Sequence, residues 1–289
     1  AAHALLLGYG IFAHAPQISI VADGFHTGLS QDLAAVGIIG VLAVFLRAYS
    51  LGGGTYTGIE AVANGMQIMR EPKVQTGKRT MAYMALSLAI LSGGLFLCYL
   101  LWNVRPVPGQ TLNAVLATNV FGGWPFGGVL ALVTILSEGA LLFVAAQTGF
   151  IDGPRVMANM AIDSWLPRSF ALLSERLTMT NGILLMGGTA LFLMVFSRGS
   201  IVFLVTMYAI NVFITFSLSQ FGMARFFYKN RSTEKKWKTH IPVYIIGFML
   251  CSTILVITIY EKIGEGGWLT LFLTSALVGL CFLIHGDYK

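Results

Sequence analysis

The sequence predicts an all-α integral membrane protein, and three observations carry that expectation. The chain has 289 residues, of which 56% are hydrophobic and 10% charged, with a mean hydropathy of +0.77. A soluble domain carries about 25% charged residues. Uncharged stretches near the roughly 20 residues that a spanning helix needs recur along the whole chain. The basic residues gather in alternate connections between those stretches, as the positive-inside rule requires.

In chain order, residues 1–14, AAHALLLGYGIFAH, read as the end of one spanning helix, so the sequence predicts that a segment precedes them. Residues 34–69 form the next span, broken near its glycines. Uncharged runs then cover Thr80–Val104, Leu177–Ser197, Gly199–Ala224, Thr239–Tyr260 and Gly266–Gly286. Another span covers 125–150, interrupted by Glu138. This gives about eight segments at membrane length or part of it, and a single transmembrane transport domain over 1–289.

Charge sets the expected orientation. Arg70, Lys73, Lys78 and Arg79 fall in one connection; Arg155, Arg168 and Arg176 in a second; Arg225, Lys229, Arg231, Lys235, Lys236 and Lys238 in a third. Those connections and the C-terminus, with Lys289, are expected to be cytoplasmic, and the protein to reside in the cell (inner) membrane. The net charge of +6 therefore reflects topology. It does not imply a nucleic-acid partner, because no basic patch has soluble flanks. Cys98, Cys251 and Cys281 all lie in apolar runs and read as packing residues, not as a metal or disulfide framework.

The stretch 152–170, DGPRVMANMAIDSWLPRSF, is less apolar than its surroundings. Asp152 suits a helix cap and Pro154 a first turn. Val156, Met157, Met160, Ala161 and Trp165 fall near one face, which predicts a short amphipathic helix along the cytoplasmic surface, stopped by Pro167.

The chemistry-bearing stretch is GGGTYTGIE, residues 52–60. Residues 34–51 and 58–69 are each helix-like, at about 27 and 18 Å by the helical rise. Glycine costs roughly 1 kcal/mol against alanine inside a helix, so three together mark a local unwinding. Broken backbone at membrane depth is tolerated only where it is buried in protein or lines a cavity. Freed carbonyls and half-helix ends then serve as ion or substrate ligands. Glu60 follows at the start of the second half-helix, where the helix field favours a carboxylate and desolvation opposes it. That balance suits a group that takes and releases a proton, and an ionisable residue in a span is a functional candidate. A cap or an interhelical contact is the plain alternative for Glu60.

Residues 46–81, LRAYSLGGGTYTGIEAVANGMQIMREPKVQTGKRTM, resemble the sixth helix and following loop of the amino acid–polyamine–organocation (APC) superfamily. Residues 146–170 and 208–223, YAINVFITFSLSQFGM, are similar to the same branch, that of KimA-type potassium–proton symporters. The resemblance implies a LeuT-like inverted-repeat fold, with residues 1–14 as the end of helix 5 and helices 6 to 12 following. It implies that Thr57 helps bind the cation, that Glu60 is linked to protons, and that Tyr208 lines the site. Carbonyls of Gly53 and Gly54, with the Thr57 and Tyr208 hydroxyls, would supply oxygen ligands of the kind that replace a cation's hydration shell.

Glu138, in TILSEGALLF, is a second proton-linked candidate, with His3 as a possible partner. Asn64 and Gln147 suit either interhelical hydrogen bonds or a cavity lining. The expected function is proton-coupled uptake of a small cation, potassium, by alternating access, with no cofactor beyond the proton motive force and the bound ion. A proton-coupled amino acid or amine permease is the alternative. No Ser/His/Asp set or GxSxG motif points to an enzyme. Partners are the substrate and the lipid bilayer; the oligomeric state is left open, a homodimer included.

Overall fold

The structure, a computed structural model, describes residues 2–52, 58–234 and 236–288. The regular elements among the described residues are all helices, with no strand among them. Helices α1 (Ala2–Ala13), α2 (Ile18–Gly52), α3 (Ile59–Asn64), α4 (Lys73–Leu101) and α5 (Leu112–Phe121) come first. They are followed by α6 (Gly127–Ile162), α7 (Thr180–Phe196), α8 (Ile201–Lys229), α9 (Trp237–Lys262) and α10 (Gly267–Asp287).

Six of the described helices are long and apolar enough to cross a membrane, lying over Ala15–Ser50, Lys73–Leu101, Gly127–Ile162, Ile201–Lys229, Trp237–Glu265 and Gly267–Asp287. Helix α7, at 17 residues, falls just short of that length. Side chains such as Ile39 (81% exposed) and Leu142 (71%) point away from protein on these helices. Apolar surface on that scale has lipid as its natural neighbour, since monomeric soluble proteins rarely expose it.

The chain divides into two compact units. One comprises Ala1–Ile38 and Gly58–Asp152, the other Ile39–Thr57 and Gly153–Lys289. In the first unit α1 packs along α4 and against α5. Small residues allow the close approach: a Cβ on Gly10 would meet Cys98 Sγ at 3.1 Å, and one on Gly94 would meet Leu7 at 3.1 Å. The indole N–H of Trp102 donates to the Gly10 carbonyl at 2.9 Å. Leu6, Leu116, Val120 and Phe121 complete this core.

In the second unit α8 and α9 form the main helix pair, and α10 packs on α8. Ile210 and Phe213 are buried on α8, Ile254 on α9, and Thr270 on α10. Thr274 Oγ1 donates to Asn211 Oδ1 at 2.7 Å, joining α10 to α8. The C-terminal half of α2 is stitched to α9 by two contacts one turn apart. Arg47 pairs with Glu261 at 3.0 Å, and the Ser50 and Thr258 hydroxyls lie 2.6 Å apart.

Three expectations are corrected. Helix α2 begins at Ile18 rather than near residue 34, and is interrupted at Gly37, whose φ of 69° only glycine adopts readily. The second half-helix is shorter than 58–69: α3 ends at Asn64 and continues as a 3₁₀ turn over Gly65–Ile68. No helix starts at Asp152, because α6 runs through it to Ile162 with Pro154 inside. Pro154, Ala158 and Ala161 form a continuous buried stripe at helical spacing, so packing overrides the local start signal. Arg168–Phe170 is a separate 3₁₀ turn, and the short α5 is an addition to the expected elements.

Candidate functional site

Glu60 belongs to the first turn of α3. The residue before that helix is Gly58, with φ 100° and ψ −16°. This left-handed conformation is strained for any residue with a Cβ, so the backbone turns at the glycine of T-G-I-E. Glu60 then folds back, and its Oε2 accepts the Gly58 backbone N–H at 2.8 Å. An N–H at a helix start has no partner within the helix, and the carboxylate satisfies it. Glu60 thus caps the resumed helix while remaining half-buried. The capping role that the sequence offers for Glu60 is present in the geometry, and it holds the carboxylate at the left-handed Gly58.

Gly53, Gly54 and Thr57 lie outside the described residues. The helical segments on either side are described: α2 ends at Gly52, and α3 resumes at Ile59.

Glu138 lies on α6, and its Oε1 is 2.9 Å from His3 Nε2 on α1. The start of α6 is fixed by sterics, because a Cβ on Gly127 would lie 1.9 Å from the Phe121 carbonyl oxygen. The geometry therefore brings together the carboxylate and the imidazole that the sequence places 135 residues apart.

Tyr208 belongs to the second unit. It projects from α8 beside the buried Met207 and Ala209 and is 45% exposed. Asn211, one turn further on, donates to the Met207 carbonyl at 3.1 Å and accepts from Thr274.

Asp152 was not anticipated as an interior group. It is 8% exposed, and its Oδ1 is 3.9 Å from where a Cβ on Gly65 would sit. A carboxylate thus lies beside the 3₁₀ turn that ends the resumed helix. The run of Pro154, Ala158 and Ala161 was the signal that could have shown the helix passing through it. Asn64 and Gln147 are exposed.

Several helices long and apolar enough to cross a membrane are the frame of a multi-pass membrane permease. The chain belongs to the amino acid permease family, whose model matches residues 3–282. It is 31% identical over 263 residues to the potassium transporter KimA of Bacillus subtilis (strain 168). That alignment covers 91% of this chain and 42% of the relative, so the chain spans less than half of the relative's length.

Proposed function

We propose that the chain is the membrane part of a proton-coupled importer of a small cation, potassium, working by alternating access in the cell membrane. The observation that carries this reading is the Glu60–Gly58 arrangement: a carboxylate held at 2.8 Å by the backbone N–H of a left-handed glycine at the start of α3. A relative named a potassium transporter supports the choice of cation. On this reading the fold is the LeuT-like inverted repeat, with α2 and α3 as the two halves of its broken helix 6 and a cytoplasmic C-terminus.

In the mechanism, the outward-facing state admits the cation to oxygen ligands around the break. Gly53, Gly54, Thr57 and Tyr208 are the proposed contributors. Glu60 takes a proton from outside, the half-helices move, and the proton is released inside. Glu138 is a second proton-linked group. One proton moving down 100 mV supplies about 2.3 kcal/mol, enough for roughly a fiftyfold concentration ratio of cargo.

The alternative is a proton-coupled amino acid or amine permease, which the description of the matching family favours. Free N–H groups at a helix break can receive an amino acid carboxylate. Growth of potassium-uptake-deficient bacteria on low potassium separates the two. Rescue by the natural protein, lost with Glu60→Gln, supports potassium. Absence of rescue with the protein present in the membrane moves the reading to amino acids, followed by labelled amino acid uptake.

A further inference from the structure

We propose that His3 and Glu138 form one proton-binding unit inside the span, holding a single exchangeable proton between them. This deepens the proton-coupled reading, on which only its uptake readout rests. The two side chains meet at 2.9 Å, and their side chains are 28% and 23% exposed. Both project from apolar helices. Residues 127–151 of α6 contain no other charged residue, and α1 contains no Lys, Arg, Asp or Glu.

A lone carboxylate at that depth is costly. Lysine or arginine would neutralise it permanently. An imidazole does so only while it carries a proton, and it exchanges that proton near physiological pH. With one proton shared, the pair is net neutral, whether it is written as imidazolium–carboxylate or as imidazole–carboxylic acid. Removing the proton leaves a net charge of −1 on the same atoms, and a second proton gives +1. One shared proton therefore sets the charge of both groups together.

The surroundings leave this exchange to the pair. On α4, which packs on α1, residues 81–101 carry no charged side chain, and their titratable groups are Tyr83, Cys98 and Tyr99. The Tyr99 hydroxyl is engaged with Asn113 Oδ1. Helix α5 carries no titratable side chain, and α1 itself adds Tyr9. On α6, Asp152 is 14 residues further along, about 21 Å by the helical rise.

The test uses the natural protein in liposomes. The infrared carboxyl band is followed from acid to alkaline pH, beside the pH profile of uptake. A titrating carboxyl signal is expected that Glu138→Gln removes and His3→Gln shifts, while Glu60→Gln leaves it in place. Each single variant loses the corresponding step in the pH profile, and His3→Gln/Glu138→Gln loses no more than either. His3→Lys keeps the ion pair and the thermal stability yet also loses the step. An unchanged carboxyl signal and pH profile in both Gln variants, with only stability lowered, would overturn the proposal and leave the pair as a helix bridge. A titrating signal without potassium uptake supports the pair and removes the potassium reading alone.

Discussion

The carboxylate of Glu60 accepts the backbone N–H of Gly58 at 2.8 Å, two residues before it in the chain. The same side chain thus caps the start of α3 and places a carboxylate oxygen at the left-handed Gly58. Gln at this position keeps an acceptor for the N–H and removes the charge. Glu60→Gln is therefore expected to insert and fold normally and to lose pH-dependent uptake. Retained proton dependence in that variant would remove Glu60 from the coupling step.

Thr57→Ala is expected to weaken the apparent cation affinity about tenfold, the equivalent of 1.4 kcal/mol, with membrane insertion unchanged. Concentration-dependent uptake in liposomes measures this. An unaltered half-saturating concentration takes Thr57 out of the site.

Gly266 initiates α10 with φ 103°, and a Cβ there would lie 2.3 Å from Phe203 Cε2. Gly266→Ala meets both a left-handed backbone penalty of about 1–2 kcal/mol and a clash with an aromatic ring. It is expected to lower the melting temperature in detergent clearly. Gly264→Ala, two residues earlier and facing open space, serves as the control and is expected to shift it little.

The Ser50 and Thr258 hydroxyls are buried and 2.6 Å apart, joining the C-terminal part of α2 to α9. Interhelical hydrogen bonds in membranes average about 0.6 kcal/mol and reach about 1.7. A double-mutant cycle with Ser50→Ala and Thr258→Val is expected to give a coupling energy in that range. Full additivity would show that the contact contributes nothing to holding this segment.

Arg231 follows α8 in the most basic connection and is exposed. A cysteine introduced as Arg231→Cys is expected to react with an impermeant thiol reagent only from the cytoplasmic side. Labelling from outside would invert the assigned topology.

Local composition determined where most spans lie. The runs at 80–104, 199–224, 239–260 and 266–286 reappear as α4, α8, α9 and α10, because lipid selects apolar length and each helix satisfies its own backbone. The same reasoning singled out Glu60, since a carboxylate after glycines is visible in a nine-residue window. It misjudged Asp152, whose cap-like neighbours proved weaker than the packing stripe of Pro154, Ala158 and Ala161 running through α6. It also could not show that Glu60 bonds back to Gly58, because that depends on a backbone turn. Only the tertiary structure decided that His3 meets Glu138, and that Arg47 and Ser50 face Glu261 and Thr258. These partners are separated by 135 to more than 200 residues. Hydropathy and propensity act over one or two turns, whereas a polar group in a span finds its partner on whichever helix packing brings alongside.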